Sequence, residues 1–177
     1  MTDAPWLTVL GLGEDGIDGL SPASRQVLDR AEIIMGPPRH LSLLPESSAE
    51  RVTWPVPFAE GLPLLQQYRG RPTVVLASGD PFWFGAGSVI ARSFEAGEWT
   101  ALPGQSTFSL AAARVGWPLE ATQTFGLHAA PLTRLRPHLS PGLRAIILLR
   151  NGAAVAELAR YLTETGFADS QLHVMEA

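Results

Sequence analysis

Three turns in this chain have the residue types of one composite ligand site. They are Gly11-Leu12-Gly13-Glu14-Asp15-Gly16, Ser78-Gly79-Asp80-Pro81 and Pro103-Gly104-Gln105-Ser106-Thr107. Each follows a short apolar run that reads as a strand: Trp6 to Leu10, Thr73 to Ala77 and Trp99 to Leu102. In an open α/β sheet the ligand crevice lies at the carboxyl ends of the strands. Glycine there lets backbone come close to a ligand and permits positive φ. Gly11-x-Gly13-x-x-Gly16 matches a dinucleotide fingerprint in form. Its surroundings do not: the next helix starts only near Ser21, and Glu14, Asp15 and Asp18 would repel a pyrophosphate. The second strand-like run ends in Met35-Gly36, where a ribose-binding acid would stand. No Gly-Lys-Ser/Thr follows, so a Walker loop is excluded.

An acidic glycine loop suits a ligand without phosphates, or one that carries positive charge. S-adenosylmethionine meets both conditions, with a cationic sulfonium and ribose hydroxyls that want acceptors. Asp80 has an ordinary reading as turn chemistry, its carboxylate bonding nearby backbone. The aromatic run Phe82-Trp83-Phe84 after it is more specific, although bulky rings also serve cores.

The elements that must position these turns alternate between strand and helix. Ser21-Pro22 reads as an N-cap followed by proline at the first helical position, opening a helix to about Ala31. Ile33 to Met35 is a short buried strand ending at Gly36. Pro37-Pro38 starts a turn with Arg39-His40 at its exit. Val52 to Trp54 is a weak strand that Pro55 and Pro57 confine to an edge or loop. Helices are predicted at Leu62 to Tyr68, Gly87 to Phe94, Ser106 to Val115 and Ala153 to Thr165, the last with Gly166 at C′. Thr73 to Ala77 and Ala145 to Leu149 are the clearest buried strands, and Leu172 to Met175 reads as a final one. The alternation predicts an α/β fold with parallel strands. Trp117-Pro118 marks the expected boundary, giving an N-terminal α/β domain over 1–117 and a C-terminal α/β domain over 118–177. The second ends on a strand without a following helix and is read as incomplete.

Composition narrows the function classes. The chain has 177 residues, 46% of them hydrophobic, enough for a sizeable core. Its formal charge is −4 and all thirteen cations are arginine. A mildly acidic chain without a basic run argues against nucleic acid as a partner. There is no cysteine, and His40, His128, His138 and His173 are scattered, so no metal site is expected. No basic-then-apolar leader and no apolar run of about 18 residues is present, so a cytoplasmic protein with no membrane partner is expected.

Taken together, Ser78-Gly-Asp-Pro-Phe-Trp-Phe-Gly85, the opening loop from Val9 to Ser21, and Pro103-Gly-Gln-Ser-Thr-Phe-Ser-Leu-Ala111 resemble the tetrapyrrole methylase family, the class III S-adenosylmethionine-dependent methyltransferases. Within that family, Gly36-Pro-Pro-Arg-His-Leu41, Ser109-Leu-Ala-Ala-Ala-Arg114 and Gly116-Trp-Pro-Leu119 are similar to the C5-methyltransferases of cobalamin biosynthesis. These include the N-terminal half of the decarboxylating precorrin-6Y C5,15-methyltransferases. The family pattern Leu-His-Gly-Arg stands here as Leu127-His128-Ala129-Ala130.

The resemblance implies two α/β domains with the donor in the cleft between them, and commonly a homodimer. It implies S-adenosylmethionine as methyl donor, S-adenosylhomocysteine as product and a corrin precursor as acceptor. It also implies a C15-methyltransferase/decarboxylase domain, fused to this one or working with it. Donor contacts carry over to Gly11, Gly13, Glu14, Gly79, Asp80, Trp83, Ser106, Thr107, Leu127 and His128. Arg39 and Arg150, with Arg134 and Arg136, are candidates for the acceptor's carboxylates, and His40, next to Arg39, is a candidate to touch the acceptor or to cap its turn. His128 and Asp15 are candidate bases. Two alternatives stay open: a class III methyltransferase with another substrate, or a donor-binding half-module inactive without the rest of a bifunctional enzyme.

Overall fold

The computed structural model describes residues 4–176. The chain divides into two compact units, the first running to Ser106 and the second starting at Thr107.

The first unit is built on a five-stranded parallel sheet. Its strands are β1 (Leu7–Leu12), β2 (Ile33–Gly36), β3 (Glu50–Thr53), β4 (Thr73–Ser78) and β5 (Trp99–Leu102), in the order β3-β2-β4-β1-β5. β1 is buried along its whole length, and β4 along all but its last residue. Near-continuous apolar runs belong in such strands because both faces of a parallel sheet are covered. Side chains alternate between two cores, as the pleat requires. Leu7, Val9, Met35, Val75 and Ala77 share one face with Leu65 of α3 (Gly61–Gln66) and Ile90 of α4 (Gly87–Ser93). Leu10, Leu12, Ile34, Val74 and Leu76 share the other with Leu28 of α1 (Pro22–Asp29) and Leu41 of α2 (Pro38–Ser42). β3 lies at the edge of the sheet, and Pro55 and Pro57 follow it.

The chain leaves β1 toward β2 on one side and leaves β4 toward β5 on the other. Such a reversal opens a crevice outside the carboxyl ends of the strands. This is how the fold gathers the loops after β1, β4 and β5.

The second unit holds α5 (Thr107–Val115), β6 (Gln123–Gly126), β7 (Ala145–Leu148) and α6 (Ala153–Glu164). β6 and β7 pair in parallel, with Gln123 opposite Ala145 and Gly126 opposite Leu148. Phe108, Ala111 and Ala112 of α5 pack on Ile146, and Leu127, Leu135, Leu158 and Leu162 form a second cluster. The division therefore falls before α5, not at Trp117-Pro118, because the buried face of α5 packs on β7.

The strands of the second unit differ from the sequence reading in two places. Leu172 to Met175 forms no strand. Its alternating apolar residues lack a ladder partner among the described residues, and Val174 is 67% exposed. This segment instead lines a cavity of about 420 Å³ with α5 and β7. Conversely, β6 was not expected; its four residues become a strand because β7 supplies the hydrogen-bonding edge.

Candidate functional site

The three turns singled out by the sequence meet within the first unit. β1 and β4 stay in register to their ends, with Gly11 opposite Ala77 and Leu12 opposite Ser78. Beyond that point Gly79 N donates to Leu12 O at 3.0 Å, and Gly104 N donates to Gly79 O at 3.0 Å. The three loops are thus hydrogen-bonded in a row. A Cβ on Gly11 would overlap Gly79 O and Gly104 N, and one on Gly104 would lie 3.0 Å from Gly11 O. Gly79 has φ +54°, and its Cβ would sit 2.7 Å from Gln105 O. Glycine at 11 and 79 is therefore required first for the loops to approach one another, and position 104 leaves little room for a Cβ. Gly13 is different: it is exposed, and the side chain of Asp15 folds beside it.

Around this cradle the loops present distinct groups. Glu14 is exposed and forms an ion pair with Arg39 of α2, itself exposed. Asp15 lies over its own loop at Gly13 and Gly19. Asp80 makes the local turn the sequence allowed: its Oδ1 accepts from Phe82 N at 2.8 Å, and its carbonyl accepts from Trp83 N at 3.1 Å. That turn holds Phe82, Trp83 and Phe84 partly exposed, between 42% and 53%. Phe84 has φ +59°, a left-handed conformation costing a non-glycine residue roughly 1–2 kcal/mol. The turn is tied down by Gly87 N, which donates to Pro81 O at 2.8 Å. Ser106 is buried and Thr107 is exposed at the start of α5.

One pair was not read from the sequence. His40 is 5% exposed, and its Nε2 lies 3.1 Å from Ser78 Oγ at the end of β4. Burial pushes the imidazole below its ordinary 6.5; Arg39 acts in the same direction and Glu14 opposes it. The sequence offers His40 as a substrate contact or a turn cap; in the structure it is buried against Ser78. The proline pair before it was the available signal, since a helix starting at Pro38 returns residue 40 to the sheet.

The remaining candidates lie in the second unit. Leu127 is buried, and its N–H is committed to Leu148 O at 2.8 Å. His128 is exposed on the turn after β6. Arg150, at the end of β7, lies 3.7 Å from Glu157 of α6, both exposed. Arg134 and Arg136 are exposed on a 3₁₀ turn over Leu132–His138.

The family model described as Tetrapyrrole (Corrin/Porphyrin) Methylases matches residues 7–177. The chain belongs to the tetrapyrrole methylase family. It is 42% identical over 98% of its length to a precorrin-6Y C(5,15)-methyltransferase [decarboxylating] from Sinorhizobium sp, covering 42% of that protein. It is 33% identical over 62% of its length to the cobalt-precorrin-7 C(5)-methyltransferase of Salmonella typhimurium, covering 55% of that protein. Among solved structures it is similar to the cobalamin-biosynthesis precorrin-6Y methylase of Archaeoglobus fulgidus. That match has a TM-score of 0.63 at 26% identity and covers 80% of this chain and 72% of the other. The chain thus spans about two fifths to half of the curated relatives' lengths. No described helix of this tetrapyrrole methylase is long and apolar enough to cross a membrane.

Proposed function

We propose that this chain is an S-adenosylmethionine-dependent C-methyltransferase module acting at C5 of a precorrin in cobalamin biosynthesis. The observation that carries the reading is the hydrogen-bonded glycine cradle at the carboxyl ends of β1, β4 and β5, in a chain of this family. The cradle fits the donor. It offers exposed backbone at Gly13, acidic acceptors at Glu14 and Asp80, and an aromatic edge at Trp83. Gly11, Gly79 and Ser106 complete the donor side.

When bound, S-adenosylmethionine supplies a methyl group on a cationic sulfur. The protein's own task is alignment. Holding acceptor carbon and methyl about 3–3.5 Å apart and in line can contribute roughly 7–11 kcal/mol. The proton lost from the ring carbon needs an acceptor. His128 and Asp15 are the proposed candidates, both exposed; the Asp15 carboxylate lies against its own loop at Gly13 and Gly19. Arg150, Arg134 and Arg136 are proposed to meet the acceptor's carboxylates, and Arg39 to do so when its pair with Glu14 opens.

The test is transfer of an isotopically labelled methyl group from the donor to a reduced precorrin, with the label located by NMR. Label at C5 supports the reading; label at another ring carbon makes the chain a methylase of different regiochemistry. A second reading, a donor-binding module that needs the rest of a bifunctional polypeptide, is favoured by the share of its relatives that the chain spans. It predicts donor binding without transfer. Fusion to a C15 domain and a homodimeric state belong to the same proposal.

A further inference from the structure

His40 is the titratable side chain most completely enclosed near the cradle, and the reaction as drawn does not use it. It is 5% exposed, it sits on α2, and its Nε2 lies 3.1 Å from Ser78 Oγ. Its other ring nitrogen, Nδ1, is buried without a hydrogen-bond partner. These two facts select the tautomer. A buried N–H without an acceptor is costly, and orphaned buried donors are rarer than under-used acceptors. The proton therefore belongs on Nε2, which donates to Ser78 Oγ, and Nδ1 stays bare. Protonating Nδ1 would place a charged N–H where nothing accepts it.

Ser78 in turn is exposed and immediately precedes Gly79, the glycine that hydrogen-bonds to both Leu12 and Gly104. A serine that accepts from His40 keeps its own O–H for a partner outside the interior.

We propose that His40 is a positioning residue of the donor site: its uncharged imidazole fixes Ser78 at the mouth of β4, so that the serine O–H donates to the bound ligand and the Gly79 turn keeps its place in the cradle. This inference rests on the donor site proposed above.

The surroundings make acid the natural disruptor. α2 packs on β2, β3 and β4. β2 and β4 carry no charged residue. β3 brings Arg51, whose guanidinium donates to the carbonyls of Leu41, Leu44 and Pro45, and Glu50, which faces Arg71. From the loop after β1 comes Glu14, paired with Arg39. Burial and the Arg39 charge both hold His40 neutral near pH 7, against Glu14.

The experiment is calorimetric titration with S-adenosylhomocysteine between about pH 8 and pH 5.5, a window that spans the ordinary histidine range. The proteins are the wild type, His40→Gln, His40→Leu, Ser78→Ala and the His40→Leu/Ser78→Ala double variant. Wild-type affinity is level at pH 6.5 and above, and falls only as the pH drops through the lowered His40 value. His40→Leu and Ser78→Ala each bind about five- to tenfold more weakly at pH 8, the scale of one hydrogen bond. The double variant is no weaker than either single one, because both remove the same contact. His40→Gln, whose amide can replace the Nε2 donor, restores most of the affinity and binds with a flattened pH profile. Near-UV circular dichroism checks each fold; should His40→Leu not fold, His40→Gln and Ser78→Ala decide. Wild-type affinity in both His40→Leu and Ser78→Ala, or an unchanged pH profile in His40→Gln, overturns the inference and leaves the donor site standing. No wild-type binding at any pH instead removes the donor reading, and this inference with it.

Discussion

At the scale of single residues, the cradle is decided by what is missing. Gly11 and Gly79 bring backbones to distances that no Cβ permits, and a Cβ on Gly104 would be crowded at 3.0 Å. Gly11→Ala must push aside backbone rather than a pliable side chain, so a loss of about 2–3 kcal/mol is expected in chemical denaturation. Gly70, where a Cβ would meet nothing within 4 Å, is the control for space, although its φ of +87° still charges alanine roughly 1–2 kcal/mol. Asp80→Ala removes the acceptor for Phe82 N, and about 1 kcal/mol of stability should go with it. Its greater effect should be on donor affinity, since the aromatic turn loses its anchor. Much of this was legible in the sequence: the three glycine turns and Ser78-Gly79-Asp80-Pro81 were read as one site. What was not legible was the partner each glycine has, because the approach of loops distant in sequence leaves no local pattern. The same holds for His40, whose bond to Ser78 spans 38 residues.

At the scale of elements, helices declared themselves by their ends. Ser21 Oγ accepts from Ser24 N at 3.1 Å, with Pro22 opening α1, as its residue types predict. Ser21→Ala should cost about 1 kcal/mol, read as a lower thermal midpoint, with the donor site unaffected. Strands were readable where they are long and buried, as with β1 and β4, because β-branched and apolar residues run together there. The short elements were harder. β6 has four residues, none fully buried, and depends on β7 for its existence. Leu172 to Met175 has the better strand pattern yet forms none among the described residues. Pattern supplies the side chains of a strand; only a neighbouring edge supplies its hydrogen bonds.

At the scale of the whole molecule, acid should act in two windows. His40 has a folded pKa below its ordinary 6.5, so the unfolded chain binds the proton more readily; its contribution is fully present above about pH 6.5 and is lost as pH falls through the folded value. Glu98 is held below its ordinary 4.5, first by the backbone N–H of Glu95 and then by Trp6 and Arg69, so its contribution is present above about 4.5 and lost below. Denaturation midpoints measured from pH 8 downward should fall in two steps, and His40→Gln should remove the upper one. The parallel sheet and its crevice followed from the alternation of runs along the chain, while the boundary at Ser106 followed from the packing of α5, which helix signals alone do not show. The central claim is that the cradle at the ends of β1, β4 and β5 is a methyl-donor site. Calorimetric titration with S-adenosylhomocysteine, with NAD as the control, tests it most directly. Micromolar binding of S-adenosylhomocysteine, absent for NAD and weakened by Asp80→Ala, is the predicted result. Binding of NAD in its place, or no binding of S-adenosylhomocysteine by the folded protein, would contradict it.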